Sequence, residues 1–219
     1  MIFAKIDFIN LLPFYTFIKK NIKSSQTKQI INNKKSYPAA INKQFKKRKI
    51  NGAFISSIAS RNCNCLDIGI VAQNEVFSVL ALKGVYEKDY QSDTSNALAK
   101  VLDIDGKILI GDKALHHYHN SEDKDFIDLA KLWKDRYNLP FVFARLCINS
   151  NHKYLYNLSK QFLNTNVKVP QYILKQYAQR TDLSPKQIQE YLTKISYKLS
   201  FKEKKSLKLF LKLAKKQGL

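Results

Sequence analysis

The chain has 219 residues, of which 45% are hydrophobic and 12% aromatic, and this composition excludes a disordered chain. It carries 38 lysines and arginines against 17 aspartates and glutamates, a formal net charge of +21. The lysines are spread over nearly every segment and no nucleic-acid-binding motif occurs. We therefore expect no nucleic-acid partner, but a positive field that attracts a small anion.

The cysteines and the apolar runs predict a soluble cytoplasmic protein. Cys63, Cys65 and Cys147 do not form a disulfide framework, which favours a reducing compartment, and the first two are expected in a loop. Lys5 and Asp7 interrupt the apolar start of the chain, and no cleavage site follows, so a signal peptide is not expected. No apolar run has the length of a membrane span, so we expect no membrane partner.

Strands and helices are predicted to alternate along the first two thirds of the chain. Strands are predicted at 2–9, 29–37, 52–57, 66–71, 77–84, 107–112 and 141–148. Helices are predicted at 11–20, 38–49, 94–103 and 125–137. After residue 150 we expect helices only, with capping boxes at Ser184–Gln187 and Ser200–Glu203. This order is typical of an α/β fold.

The strands at 77–84 and 141–148 bracket the middle of the chain. If each crosses between lobes, two α/β lobes enclose a cleft, which is a common place for a small-molecule site. The predicted first lobe contains residues 1–80 and 146–219, including the C-terminal helices, and the smaller second lobe contains residues 81–145. The basic segment 204–216 is expected to close the core with its leucines and to face water with its lysines.

Polar residues follow several predicted strands, where α/β proteins often carry functional groups. Asn10 ends the first strand in "KIDFINLLPFY" and is expected to cap the next helix, whose first turn tolerates Pro13. Ser56 and Ser57 come directly after "AFI". Asp112 follows "ILIG" and is interpreted as a base, an orienting acceptor or a cap.

A further polar cluster, "SDTSN", begins the predicted helix at 94–103. Hydroxyls and free N–H groups at a helix start bind carboxylates, although capping alone also explains Thr94, Ser95 and Asn96. His116 and His119 lie one helical turn apart but lack a third ligand, so we expect no metal site there. No glycine-rich phosphate loop or nucleophile elbow occurs.

Several stretches, in collinear order from residue 2 to about 146, together resemble the chorismate dehydratases of the futalosine route to menaquinone. They are "KIDFINLLPFY", "AFISSIAS", "VFSVLALK", "SDTSNALAKVL", "ILIGDKAL" and "LWKDRYNLPFVFARL". The resemblance implies a two-lobed fold like that of the type II periplasmic binding proteins, with a central cleft and a helical C-terminal segment. It also implies a hydro-lyase that converts chorismate to 3-[(1-carboxyvinyl)oxy]benzoate without metal or organic cofactor. Asp93 departs from the family, which more often carries a basic residue there.

The resemblance also implies roles for individual residues. Asn10 and Ser78 become the catalytic polar groups. The implied substrate-binding residues are Ser56, Ser57, Thr94, Ser95, Asn96 and Asp112. The base is either the enolpyruvyl carboxylate of the substrate or Asp112 with a pKa raised by burial. The first is preferred, because a further negative charge beside a dianion disfavours the elimination.

Two other functions are compatible with these patterns. One is a non-catalytic binding protein for a small aromatic or carboxylate ligand. The other is the sister family of 1,4-dihydroxy-6-naphthoate synthases, which relies on a histidine in the second lobe. The sequence Gly111-Asp112-Lys113 after the corresponding strand favours the dehydratase. The sequence leaves open whether the protein is a monomer or a homodimer.

Overall fold

The structure is a computed structural model that describes residues 1–122 and 125–219. Its helices are α1 (Leu12–Asn21), α2 (Ser25–Asn33), α3 (Pro38–Lys46), α4 (Asp93–Val101), α5 (Gly111–Asn120), α6 (Leu129–Tyr137), α7 (His152–Leu163), α8 (Gln171–Thr181), α9 (Pro185–Thr193) and α10 (Phe201–Lys216). Its strands are β1 (Lys5–Ile6), β2 (Lys35–Ser36), β3 (Gly52–Ser56), β4 (Cys65–Ala72), β5 (Val79–Leu82), β6 (Lys107–Ile110), β7 (Phe126–Asp128), β8 (Phe141–Ile148) and β9 (Ile195–Lys198). The mixed α/β class predicted from the sequence is confirmed.

The larger sheet has the strand order β3-β8-β4-β9, and all its neighbours are antiparallel. Strand β8 lies between β3 and β4, and six of its eight residues are buried. The short strands β1 and β2 pair in parallel beside this sheet, and a bridge from Phe3 to Gly52 connects them to β3. The beginning of the chain is therefore attached to the edge of the larger sheet.

The smaller sheet has the order β6-β5-β7 and is also antiparallel. All its strands come from the chain between β4 and β8, so this part leaves the larger sheet and returns to it. Helix α4 packs between the two sheets, with Leu98 and Ala99 completely buried. This arrangement fits the expectation of two lobes, and the lobe boundaries drawn above stay a prediction.

Aromatic side chains form much of the core. Phe14 on α1 makes edge-to-face contacts with Phe54 of β3 and Phe162 of α7. Trp133 on α6 is fully buried and donates its indole N–H to Ser206 Oγ at 2.9 Å. In α10 the apolar face, including Phe210, is buried while the lysines face solvent, as the segment at 204–216 predicted.

The structure corrects several predicted elements. Most of the predicted strand at 29–37 belongs to α2, whose start is capped by Ser24 accepting from the Thr27 N–H at 3.2 Å. The last part of the chain is not purely helical, because β9 pairs with β4. The two capping boxes at Ser184 and Ser200 are confirmed, and the helical signals on both sides conceal the four-residue strand between them.

The cysteines also differ from expectation. Cys65 lies in β4 rather than in a loop, opposite Cys147 of β8, and the two form a disulfide. Cys63 is free and lies in the turn before β4, as expected. The argument for a reducing compartment from unpaired cysteines therefore no longer holds. Among the described helices none combines the length and apolar character that crossing a membrane requires.

Candidate active site

A small cavity of about 60 Å³ lies between the two sheets. We call it the cleft cavity. Polar groups in its lining come from Asn10 before α1, Ser56 at the end of β3 and Ser78 just before β5. The starts of α4 and α5 contribute Ser92, Ser95 and Gly111. None of the described residues that line it carries an ionisable side chain. Its polarity therefore comes from hydroxyl, amide and backbone groups alone.

Tyr191 on α9 joins the two predicted catalytic residues. This side chain is 1% exposed, and its hydroxyl donates to Ser78 Oγ at 2.9 Å. Burial raises the pKa of Tyr191, whose hydroxyl also forms a hydrogen bond with the Asn10 side chain. Asn10 and Ser78, which are far apart in sequence, thus lie close enough to contact one small molecule.

The carbonyl oxygen of the Asn10 side chain is the most informative atom of the cavity. Oδ1 is buried and has no hydrogen-bond partner among the described residues. The predicted helix cap is wrong, because Asn10 lies inside a single 3-10 turn, Ile9–Leu11, and the residue before α1 is Leu11. Pro13 does lie in the first turn of α1. Unsatisfied buried acceptors are rare and costly, and this one belongs to a residue that lines the cavity, where a bound donor would satisfy it.

The position of Ser78 depends on a carboxylate that the sequence analysis did not single out. Asp128 Oδ2 accepts from the N–H groups of Val76 and Phe77 at 2.8 and 2.7 Å. Phe77 has a φ of 61°, which is unfavourable for an aromatic residue. Burial raises the pKa of Asp128, and the backbone hydrogen bonds that it accepts oppose this rise. The carboxylate therefore holds a strained turn that points Ser78 into the cavity.

Asp128 also accepts from the N–H groups of Ala130 and Lys131, at 2.9 and 3.0 Å, and so caps α6. An aspartate directly before the apolar periodicity of "LAKLW" is a cap signal that the sequence contains. Its second role, at the turn before β5, depends on the pairing of β5 with β7 and has no local signal.

Hydroxyl groups at the start of α4 form another wall of the cleft cavity. Ser92 is the N-cap of this helix and accepts from the Ser95 N–H at 3.1 Å, and the two hydroxyls are 2.9 Å apart. On the opposite side Ser56 is held by Asn42, which donates to its Oγ and accepts from its N–H. The positive end of the α4 dipole favours a negative group beside these serines.

Four predicted binding residues are engaged elsewhere and do not line the cleft cavity: Ser57, Thr94, Asn96 and Asp112. Ser57 donates to the carbonyl oxygen of Val142 at 2.6 Å. Thr94 Oγ1 accepts from the Ile58 N–H at 3.1 Å. These two contacts fasten the turn after β3 to β8 and to α4, so their visible function is structural.

Asn96 holds a turn rather than facing the cavity. Its Oδ1 accepts from the Asp89 N–H at 3.0 Å, and its amide donates to the Asp89 carbonyl at 2.7 Å. The carbonyl of Gln91, in the same turn, accepts from the Ala39 N–H of α3 at 3.0 Å. Asn96 therefore supports a contact across the cavity.

Asp112 lies one residue beyond the cavity wall. Its Oδ2 pairs with Arg180 at 2.6 Å, and its Oδ1 accepts from the Ile9 N–H at 3.3 Å. Burial raises its pKa, and the Arg180 charge opposes that rise. Only the preceding Gly111 reaches the cavity, where its N–H donates to the Ser78 carbonyl at 2.8 Å. Both oxygens of Asp112 are thus committed to structural partners.

Comparison with known proteins identifies the family. A family model described as "Menaquinone biosynthesis" matches residues 86–216. A chorismate dehydratase of Campylobacter jejuni subsp. jejuni is 45% identical over 220 residues, which cover 98% of each chain. The chain belongs to the chorismate dehydratase family.

One solved structure supports the fold at much lower identity. The protein AF1704 of Archaeoglobus fulgidus is 13% identical and superposes with a TM-score of 0.68, covering 99% of this chain and 97% of the other. The Candida albicans CA3427 product, described as having the generic periplasmic binding protein fold, is 11% identical with a TM-score of 0.45 and covers 98% and 93%.

For this chorismate dehydratase family member, sequence reasoning found some residues of the site and missed others. Asn10, Ser56, Ser78 and Ser95 were singled out and all line the cavity. Tyr191 was missed, because its partner Ser78 lies 113 positions away and its helix shows only ordinary amphipathicity.

The "SDTSN" segment contains the signal for a second missed residue, Ser92. A serine followed by three residues that continue into an apolar helix is a typical N-cap, and this position is the one that reaches the cavity. Among the described residues no group of three histidines, cysteines or carboxylates could hold a metal ion. His116 instead approaches Asp182, with Nε2 3.4 Å from Oδ2.

Proposed function

We propose that the protein is a carbon–oxygen lyase that removes water from chorismate to give 3-[(1-carboxyvinyl)oxy]benzoate. The 45% identity to a chorismate dehydratase over nearly the whole chain supports the substrate. The observation that carries the proposal is the buried, unpartnered Oδ1 of Asn10 beside Ser78 and Tyr191. Such an acceptor suits a substrate that brings a hydroxyl group into an otherwise uncharged cavity.

The reaction breaks a C–H bond at the ring carbon that bears the enolpyruvyl ether. The electron pair of this bond forms a new ring double bond as the neighbouring C–O bond breaks, and the hydroxyl departs as water after taking one proton. The product ring is aromatic, which drives the elimination forward. No electrons enter or leave the system, so no oxidant is needed.

Asn10 and Ser78 hold the leaving hydroxyl in this proposal. Asn10 Oδ1 accepts a hydrogen bond from the leaving hydroxyl of the substrate. This orients a lone pair of the hydroxyl oxygen towards the proton that it must take up to leave as water. Ser78 Oγ already accepts from Tyr191, so its own hydrogen is available to donate to the leaving oxygen. Both contacts strengthen in a cavity from which water is excluded.

The base in this proposal is the enolpyruvyl carboxylate of the substrate. It takes the ring proton and passes it to the leaving hydroxyl, so the carboxylate is restored. The alternative base, Asp112, is paired with Arg180 at 2.6 Å and lies outside the cavity lining. Burial raises the pKa of Asp112, but this does not bring its carboxylate within reach of the substrate ring.

The ring carboxylate is assigned to the start of α4. Ser92 and Ser95 offer hydroxyls there, and the helix dipole is favourable for an anion. No described residue of the cavity lining is charged, so the overall charge of +21 supplies the long-range attraction for the anionic substrate. Attraction thus comes from the whole surface, and orientation from neutral groups.

Chorismate needs more room than the cleft cavity provides. Small-molecule sites are commonly about 300 Å³ or larger, whereas this cavity has about 60 Å³. Beside the lining residues Pro38, Ser56 and Ser92, the Asn42 amide donates to Asp93 Oδ2 at 3.1 Å, and the Ala39 N–H donates to the Gln91 carbonyl. Substrate entry requires these contacts to separate, and their return would exclude water during the reaction.

The direct test is to incubate purified protein with chorismate and to follow the aromatic product by ultraviolet absorbance and mass spectrometry. Ser78→Ala is expected to lower kcat by about a hundredfold, the usual effect of removing one donor to a developing charge. Ser159→Ala is the matched control, because this buried serine bonds only to Leu155 within α7. Binding of chorismate without any product would overturn the proposal in favour of a binding protein.

A further inference from the structure

A second and larger cavity lies between α1, α2 and α8, beside β1 and β2. It has a volume of about 430 Å³, which is within the range of small-molecule sites. It shares no lining residue with the cleft cavity. We call it the basic pocket.

Cations outnumber anions on the wall of the basic pocket. The cationic residues are Lys5, Lys19, Lys28, Lys35 and Arg180. The one carboxylate among its described lining residues is Asp7, which already pairs with Lys5 at 2.9 Å, Arg180 at 3.0 Å and Lys35 at 3.7 Å.

Lys19 and Lys28 lie on this wall without a carboxylate partner among the described residues. Lys19 lies instead over the ring of Tyr172, 6.0 Å from its centroid. Lys28 is half-buried, so part of its hydration is already lost. Two ammonium groups that face a pocket with no anion of their own attract a negatively charged ligand.

Aromatic rings also line the basic pocket. Tyr172 is 62% exposed, which is unusual for a large ring, and Tyr177 and Tyr15 line the inner wall. Arg180 stacks on the ring of Tyr177 at 4.1 Å, and Lys5 lies 5.1 Å from the ring of Tyr15. Exposed rings next to cations suit a flat ligand that offers a π-face to the ring and an anionic group to the ammonium.

We propose that the basic pocket, defined by Lys19, Lys28 and Tyr172 on its open side, is a second binding site for a small aromatic carboxylate. The ring of the ligand stacks on Tyr172, and its carboxylate pairs with Lys19 and Lys28. The inference rests on this pocket alone and does not depend on the reaction proposed for the cleft cavity.

The choice of variants follows from the contacts of the pocket. Arg180 is unsuitable, because it also bonds to Asp112 and to the Asp7 carbonyl and so supports the segment that carries Asn10. The double variant Lys19→Ala/Lys28→Ala removes the two unpaired cations. Lys208→Ala/Lys212→Ala on α10 removes the same charge from an exposed face outside the pocket and controls for the overall field.

The experiment is calorimetric titration of the full chain with isophthalate, an aromatic dicarboxylate, and with neutral isophthalamide. We expect isophthalate to bind and isophthalamide not to bind. Lys19→Ala/Lys28→Ala should weaken isophthalate binding by about tenfold or more, because it removes both cations that pair with the carboxylate. Tyr172→Leu should also weaken it, while Lys208→Ala/Lys212→Ala should leave the Kd within about twofold of the original value.

The cleft cavity is the competing location for the same probe, and Ser95→Ala, which removes a hydroxyl assigned to a carboxylate there, separates the two. Binding that survives in Ser95→Ala and weakens in Lys19→Ala/Lys28→Ala supports the basic pocket. Binding that is weakened in Ser95→Ala and unchanged in the lysine variant would place the ligand in the cleft and overturn the proposal. Equal weakening by the two lysine pairs would do the same, by showing general attraction only, as would an absence of binding to the unaltered chain.

Discussion

The cleft cavity and the basic pocket use opposite means to select a ligand. The cleft cavity is small and lined, in its described part, only by neutral groups that other residues hold in place, such as Ser78 by Tyr191. The basic pocket is wider and lined by cations, of which Lys5, Lys35 and Arg180 share Asp7 as their partner. The first is suited to orienting reacting atoms, and the second to attracting charge.

This difference has a physical consequence for how each region responds to change. Solvent hardly screens a hydrogen bond in a dry cavity, so removing one donor or acceptor atom has a large effect on the reaction. Charges near solvent are screened by salt and by pH, and their effects are shared among several partners. Substitutions in the cleft cavity should therefore change kcat, whereas those in the basic pocket should change the free energy of unfolding and its dependence on pH and salt.

The largest expected effect is that of Asn10→Ala. It should lower kcat by about a hundredfold or more, yet lower the melting temperature only slightly, because Oδ1 has no partner among the described residues and the side chain gives up only its bond with Tyr191. Product absorbance and differential scanning calorimetry measure the two quantities. Asn21→Ala, which loses only a bond to the Phe17 carbonyl, is the control. Full activity in Asn10→Ala would remove the distinction between the two regions.

The second prediction concerns Asp7 and acid stability. Burial raises its pKa, but hydrogen bonds from Tyr177 and Lys5, with the charges of Lys5 and Arg180, outweigh burial and bring it to about 2. The folded pKa is below the ordinary 3.8, so the stabilisation is complete above that pH and is lost as the pH falls towards about 2. It is worth about 2 kcal/mol.

Urea unfolding at mildly acidic and strongly acidic pH tests this prediction. The unaltered chain should lose more stability on acidification than Asp7→Asn, and the difference between the two proteins should be about 2 kcal/mol. Asp112 and Asp128, whose pKa values are raised, act in the opposite direction but are present in both proteins and cancel. Identical acid dependence in the two proteins would show that the ion pairs of the pocket contribute nothing to stability.

The smallest effect is expected for Tyr191→Phe. Loss of the hydrogen bond to Ser78 should reduce kcat by about tenfold with little change in KM, since it orients Ser78 without binding substrate. Steady-state kinetics gives both constants. Tyr137→Phe, which alters a ring packed on Trp133 in α6, should leave kcat unaltered. A rise in KM with constant kcat would instead assign Tyr191 to substrate binding.

The sequence predicted the parts of the cleft that depend on local patterns. A polar residue after an apolar strand marked Asn10, and a serine-rich helix start marked Ser95. The same reasoning assigned Asn10 to a helix cap, because nothing in "DFINLLP" shows that the chain makes a 3-10 turn before α1. Thr94 and Ser95 share the same helix start, and only the packing of α4 against Ile58 decides which of them faces the cavity.

Contacts that join distant parts of the chain had no local signal. Arg180 reaches Asp7 across 173 positions, and both residues appear in sequence as ordinary exposed charges. The charge of the basic pocket is therefore visible only after α8 has packed against β1 and β2. The even spread of lysines along the sequence concealed this concentration in space.

The disulfide between Cys65 and Cys147 joins the first residue of β4 to the end of β8, 82 positions apart. All strands of the smaller sheet lie inside the closed ring. A protease that nicks one peptide bond within this ring would leave the fragments covalently joined while the bridge is oxidised. The nicked protein would then migrate as one band on a denaturing gel and separate into two after treatment with a thiol.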